Sequence, residues 1–184
     1  MEAPGFTLIE LIAVAALVLV LTATAIPATL ASVDRSRGFA AARFLAARMA
    51  LARTQAVARG TTLGLVFERT ARGIAFRVHR DGNRNGVLVK EVRSGVDAPI
   101  DDRVRLYELF PGVAIGVTPS SPSSDPIRLG GSDILSFTPS GTASSGTIYI
   151  SGRDGTQWAV RILGATARTR VLRYIPERDV WAEP

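Results

Sequence analysis

The chain of 184 residues contains no cysteine, one histidine and, among 22 basic residues, one lysine. The absence of cysteine excludes disulfides, thiolate metal sites and cysteine nucleophiles. His79 has no second histidine for a zinc site, and a Ser-His-Asp triad would have to include it. Phosphate-loop and dinucleotide fingerprints are also missing. The sequence therefore predicts a protein that is not an enzyme and needs no cofactor.

The overall composition is that of a folded domain. Apolar residues make up 47% of the chain and charged residues 21%, which are close to globular averages. The length suits one ordinary domain. The formal net charge is +6, carried almost entirely by arginine.

A long apolar segment lies near the N-terminus. From Leu11 to Ala31 no residue is charged, and a helix of that length spans roughly 30 Å, about one bilayer core. The segment predicts a membrane-spanning helix. The alternative is a cleaved secretory signal, which would carry a basic start and a shorter apolar core. Glu10, at the start of the segment, either reaches water at the membrane surface or pairs with a cation from another chain.

The residues Gly5-Phe6-Thr7-Leu8-Ile9-Glu10, followed by this apolar run, resemble the processing motif of type IV prepilins. The resemblance implies that residues 1–5 are a leader and that a prepilin peptidase cuts between Gly5 and Phe6. It further implies N-methylation of Phe6 and an assembly role for Glu10, which would neutralise the Phe6 amine of a neighbouring subunit.

The orientation of the chain follows from the same resemblance. All the cations that flank the apolar run lie on its C-terminal side, and the positive-inside rule alone would place the bulk of the protein in the cytoplasm. The prepilin motif outweighs that rule. We therefore expect a single-pass protein of the cell inner membrane, with residues 6–31 as the transmembrane part and the C-terminal domain in the periplasm.

Residues 32–60 continue the helix as an amphipathic segment. One apolar stripe recurs at three- and four-residue steps, and a second stripe lies beside it. Arginines occupy much of the remaining helix surface. They form either an ordinary solvated face or a contact surface for anionic partners, and the solvated face is favoured. Gly60 is expected to cap the C-terminus. The first stripe comprises Phe39, Ala42, Leu45, Met49, Ala52 and Ala56, the second Phe44 and Leu51, and the arginines are Arg43, Arg48, Arg53 and Arg59.

Residues 61–184 change to short β-like runs separated by turn residues, which predicts an α+β protein with an antiparallel, β-sandwich-like domain after the long helix. A surface loop is expected over Thr118–Gly131. The predicted strands are Thr62–Glu68, Gly73–His79, Val87–Arg93, Val104–Phe110, Val113–Thr118, Ile134–Thr138, Thr147–Ser151, Gln157–Ile162 and Arg168–Tyr174.

The second half of the chain adds a narrower resemblance. The segments SFTPSGTA at 136–143, TIYI at 147–150 and WAVRILGATARTR at 158–170 resemble the body of the GspH/FimT pseudopilin family. The resemblance implies a minor pseudopilin of a type II secretion system, which assembles with other pseudopilins or pilins in protein transport. The alternative is a FimT-like minor pilin of a type IV pilus that binds DNA for uptake. Arg168 and Arg170 match both arginines of that branch's G-R-x-R motif, with Ala167 in place of the glycine.

One segment matches the opening of a calcium loop. Asp81, Asn83 and Asn85 have the spacing D-x-N-x-N-G. The twelfth position, which should supply a bidentate carboxylate, is Val92. A Gly/Asn-rich hairpin turn between two strands is therefore favoured over a metal site. His79, just before this segment, is expected to face solvent.

Overall fold

The structure, a computed structural model, describes residue 5 and residues 7–184, without the side chains of residues 24, 26–28 and 30. Phe6, the predicted methylation position, and most of the predicted leader lie outside the described residues. So do several side chains of the predicted membrane segment.

Helix α1, Leu8–Arg59, is one unbroken element that joins the apolar N-terminal run to the amphipathic segment. It ends at Gly60, whose φ of 61° is left-handed and whose N–H donates to the carbonyls of Ala56 and Val57. Glycine adopts this conformation without a Cβ penalty, so the predicted C-cap is confirmed.

The second half of α1 is built into the core. The first predicted stripe is buried from Ala42 to Ala56, and Leu45 and Met49 are both fully buried. Phe39 is half-buried against Trp158, with ring centroids 5.3 Å apart. In the second predicted stripe Phe44 packs on Phe110, but Leu51 is 46% exposed. This half of the helix thus buries one continuous stripe and part of another.

Two antiparallel sheets follow the helix. The smaller has the strand order β2-β1-β5, and the larger has the order β3-β6-β7-β8-β9, with β4 also paired to β6. Their bounds are β1 Leu63–Thr70, β2 Gly73–Arg80, β3 Ala114–Ile115, β4 Ile127–Arg128, β5 Ile134–Phe137, β6 Gly146–Ser151, β7 Gln157–Leu163, β8 Arg168–Ile175 and β9 Val180–Ala182. Three short helices complete the chain: α2 Val89–Ser94, α3 Leu106–Leu109 and a 3-10 turn at Pro176–Arg178.

One apolar core joins these elements. It contains the buried stripe of α1 together with side chains from both sheets, such as Phe67 and Phe76 of the small sheet and Ile148 and Val160 of the large one. The predicted class, a long helix followed by antiparallel sheets, is confirmed.

Several predicted strands are wrong. Val87–Arg93 was expected to be extended because it is rich in valine, but Val89–Ser94 is helical. Val87 and Val92 pack with Val66 and Ile134 on the small sheet, so burial overrides the β propensity of the segment.

Other boundaries also differ. Within Val104–Phe110 the structure has only an isolated bridge at Val104 and the short helix α3. The predicted strand Val113–Thr118 shrinks to Ala114–Ile115. The predicted loop contains strand β4, and β9 was not predicted at all.

Candidate assembly and interaction sites

The N-terminus of α1 is closed by a reciprocal pair of side chains. Thr7 is the N-cap, and its hydroxyl accepts a bond from the N–H of Glu10 at 3.3 Å. The Glu10 carboxylate accepts bonds from the Thr7 N–H and hydroxyl, both at 2.8 Å. This capping box satisfies otherwise free donors of the first turn. The structure therefore gives Glu10 a local contact that the sequence analysis did not anticipate.

The first part of α1 exposes its apolar side chains. Between Leu8 and Leu21 every large apolar side chain is more than half exposed, up to 75% at Leu8 and Ile9. No helix, over the residues that the structure describes, combines the length and apolarity needed to cross a membrane. The predicted span and its location in the inner membrane stay predictions.

The loop after β2 is organised by buried carboxylates. The Asp81 carboxylate accepts backbone N–H bonds from Asn83, Arg84 and Gly86 at 2.7–3.1 Å. Asp97, which is fully buried, accepts from the N–H groups of Gly82 and Leu88 at 3.0 and 2.9 Å. Backbone donors compensate the cost of burying these two charges.

The asparagines among the candidate calcium ligands form hydrogen bonds within the loop and to helix α2. Asn83 accepts a bond from the N–H of Asn85, while the Asn85 amide donates to Glu91 at 2.9 Å. Among the described residues, no three His, Cys, Asp or Glu side chains are grouped so that they could hold a metal ion. The hairpin alternative is wrong in detail, because the loop leads into helix α2 and not into a strand.

His79 is buried, contrary to the prediction that it faces solvent. It is 4% exposed, and its Nδ1 lies 2.8 Å from the carbonyl of Asp97. Strand alternation alone would place His79 opposite the core side chains Phe76 and Val78. The segment around Pro99, however, bridges to His79 at the free edge of β2, and the Asp97 carbonyl of that segment contacts the ring.

Arg168 and Arg170 lie at the start of β8 and are both exposed. The turn before them runs from Gly164 to Ala167, whose φ of 50° is left-handed. An alanine in this conformation costs roughly 1–2 kcal/mol, which glycine would avoid. The Ala167 methyl group is buried in the core and offsets part of that cost. Alanine thus supports the same turn that the motif's glycine would make.

Strand register places further arginines beside this pair. Arg170 lies opposite Arg161 of β7, Arg161 lies opposite Thr147 of β6, and Thr147 lies opposite Arg128 of β4. These four side chains form one row across the outer face of the large sheet. Only the pairing register brings Arg128 to this row, and the same register shows that Arg161, which is already close in sequence, shares a face with Arg170.

The acidic side chain of Asp125, near this row, forms an ion pair with another arginine. Asp125 forms an ion pair of 3.0 Å with Arg69. Burial opposes its ionisation, but the hydrogen bonds from Arg69 and the Ile127 N–H, with the charges of Arg69 and Arg128, lower the pKa of Asp125. The ionised form of Asp125 is therefore favoured beside Arg69 and Arg128.

A long N-terminal helix whose second half is buried in an antiparallel β domain defines a pilin-like protein. Comparison with protein families identifies the family within this pilin-like class. The model of the family described as type II transport protein GspH matches residues 41–166, more than half of the chain. The chain belongs to this GspH family. Neither the N-terminal motif nor Arg168 and Arg170 fall within the matched range.

Two solved structures are similar to this chain, both of the minor pseudopilin EpsH from the type II secretion system of Vibrio cholerae. Each is 16% identical and covers 74% of this chain. The alignments cover 97% and 96% of those chains, with TM-scores of 0.48 and 0.46. A comparison with curated proteins finds no match.

The loop geometry predicts that Asp97→Asn destabilises the domain without involving calcium. The substitution replaces one acceptor oxygen by an NH₂ group, which leaves a buried backbone N–H without its acceptor at a cost of about 1–3 kcal/mol. Asp102→Asn, at an exposed position in the next loop, should change the free energy of unfolding by less than about 0.5 kcal/mol. Thermal unfolding with calcium and with chelator checks both. A calcium-dependent rise in Tm that Asp81→Asn abolishes would restore the metal site.

Proposed function

We propose that this protein is a minor pseudopilin, a structural subunit of a type II secretion pseudopilus that performs no covalent chemistry itself. The match to the GspH family carries this proposal. The matched residues include most of the buried half of α1 and every strand from β1 to β7. The likeness thus extends over the packed part of the domain and is not limited to one motif.

The N-terminal part of the proposal concerns processing and location. The residues Gly5 to Glu10 support cleavage by a prepilin peptidase between Gly5 and Phe6, with methylation of Phe6. The apolar side chains between Leu8 and Leu21 are not covered by the chain's own domain. A surface of this kind calls for lipid or neighbouring apolar helices. We place the helix in the inner membrane and the β domain in the periplasm.

The assembly step depends on Glu10. Both of its bonds to Thr7 use Oε2, and the side chain is exposed. Oε1 is therefore available to a neighbouring subunit. A carboxylate in an apolar environment is tolerated when a cation pairs with it, and the methylated amine of a neighbouring Phe6 would supply that charge. We propose that Glu10 both caps its own helix and docks the next subunit.

Intact-mass measurement of the membrane-extracted protein tests the processing step. We expect a chain that has lost Met1–Gly5 and gained one methyl group. A mature chain that begins after Ala25 or Ala31 would instead identify an ordinary signal peptide.

Two substitutions at Glu10 separate its charge from its capping role. Glutamine can still accept the bond from the Thr7 N–H, so Glu10→Gln keeps the capping box and removes the charge. We expect Glu10→Gln and Glu10→Ala to leave the β domain folded and to impair co-purification with partner pseudopilins equally.

The matched control is Thr7→Ala, which removes the cap hydroxyl and retains the Glu10 charge. This variant should still co-purify with its partners. Normal co-purification of Glu10→Gln would show that the cap, and not the charge, is what assembly needs.

The alternative function is DNA binding by a FimT-like pilin of a type IV pilus. The exposure of Arg168 and Arg170, and their alignment with Arg161, supports a surface that could neutralise phosphates. The aromatic side chains of this face do not support base stacking, because Tyr149 and Tyr174 are buried and the half-buried Trp181 packs against them.

We expect little or no binding of duplex DNA by the full chain near physiological salt. If binding does occur through these arginines, log K should fall with log[salt] with a slope of about −0.9 per phosphate neutralised. The double variant Arg168→Ala/Arg170→Ala should then flatten the slope by roughly two units. Micromolar binding that this double variant abolishes would place DNA capture ahead of secretion.

A further inference from the structure

An exposed leucine lies among the arginines of the large sheet. Leu163 of β7 pairs with Arg168 of β8, and Arg161 pairs with Arg170. Alternate residues of a strand share a face, so these four side chains form one outer patch. Directly opposite side chains have Cβ atoms about 4.5–5.5 Å apart. We call these residues the Leu163 patch.

Leu163 is unusual for its exposure. It is 58% exposed, more than any other large apolar side chain that the structure describes beyond residue 31. Its chain neighbour Ile162 points to the opposite face and is 2% exposed, in the core. The same outer face buries Tyr149, Ala159 and Leu172 in a separate apolar cluster. The fold therefore covers one end of this face and leaves the end around Leu163 open.

The charge around Leu163 is positive. Arg161, Arg168 and Arg170 are exposed, and Arg128 continues the row two strands away, at about 10 Å by ordinary strand spacing. The nearby carboxylate of Glu183 lies 3.5 Å from Arg170 Nε, and both side chains are more than half exposed. An exposed pair of this kind contributes little and exchanges readily for another partner.

We infer that the Leu163 patch binds a partner protein through an apolar side chain flanked by carboxylates. Arginine presents a planar fork that matches a carboxylate, and arginine is enriched at protein interfaces. The contact of Glu183 with Arg170 is a carboxylate contact of this kind within the chain itself. The partner's apolar side chain would cover Leu163 and remove it from water.

The apolar centre favours a protein over a nucleic acid. Phosphate binding needs cations and gains nothing from an exposed leucine between them. Stacking of single-stranded bases would need exposed aromatic rings, whereas Tyr149 and Tyr174 on this face are buried and the half-buried Trp181 packs against both. The combination of one apolar side chain and three arginines fits an acidic protein segment best.

The experiment uses the full chain in a non-ionic detergent and two fluorescent peptides. In one peptide a leucine is flanked on both sides by glutamates, and in the other a serine replaces that leucine. The wild-type chain should bind the leucine peptide about tenfold more tightly than the serine peptide, because only the leucine peptide buries apolar surface. Leu163→Ser should abolish this preference and leave the affinity for the serine peptide unchanged.

Matched controls test the location of the site. Leu109→Ser changes a leucine of similar exposure, 53%, in α3 and should leave the preference intact. Arg161→Gln and Arg170→Gln should weaken both peptides, whereas Arg72→Gln in the exposed β1–β2 turn should weaken neither. Because all these positions are on the surface, thermal unfolding should show the wild-type Tm.

Three outcomes would overturn the inference. The peptides could bind equally well, binding of the leucine peptide could be absent, or Leu163→Ser could leave the preference unchanged. A short DNA duplex that binds as tightly as the leucine peptide, with or without Leu163→Ser, would identify a general polyanion surface instead. None of these outcomes bears on the proposed pseudopilin function, which the Glu10 variants test separately.

Discussion

The burial of the second half of α1 is the constraint on which the rest of the molecule depends. Leu45 and Met49 are fully buried against side chains of both sheets, so the helix supplies the surface on which the two sheets meet. The same helix is unbroken back to Leu8. The β domain is therefore continuous with the exposed apolar part of the helix, which is consistent with the proposed role as a pseudopilus subunit.

The elements that sequence periodicity specified well are those that bury one regular face. The stripe of α1 follows directly from helix geometry, and Phe76 and Val78 of β2 share one buried face as strand geometry requires. The errors fall where tertiary packing decides. Helix α2 was predicted as a strand because of its valines. His79 was predicted to be exposed because the sequence does not reveal that the segment Asp97–Pro99 pairs with β2 and contacts the ring. Arg48 likewise reads as solvated but pairs with Asp101.

The candidate sites likewise divide into residues that a local sequence motif identifies and residues that only the folded structure brings together. Glu10, Arg168 and Arg170 were found from motifs, which are local in sequence. The capping box at Glu10 also has a local signature, Thr-x-x-Glu, which the sequence analysis passed over. Arg161 and Leu163 are close to Arg168 and Arg170 in sequence, but only the register of β7 and β8 shows that the four share a face. Arg128 has no local signature, because only strand pairing brings it to this row. The Leu163 patch thus lies within residues 161–170, and only Arg128 joins it from a distant part of the sequence.

The central claim is that the second half of α1 is part of the domain core. Denaturant unfolding of the full chain in mild detergent, followed by fluorescence of Trp158 and Trp181, tests it most directly with Leu45→Ala and Leu51→Ala. Leu45 is fully buried and Leu51 is 46% exposed on the same helix. The account predicts a loss of about 2–5 kcal/mol for Leu45→Ala and less than about 1 kcal/mol for Leu51→Ala. Equal, small losses would contradict it, because the β domain would then be stable without the helix.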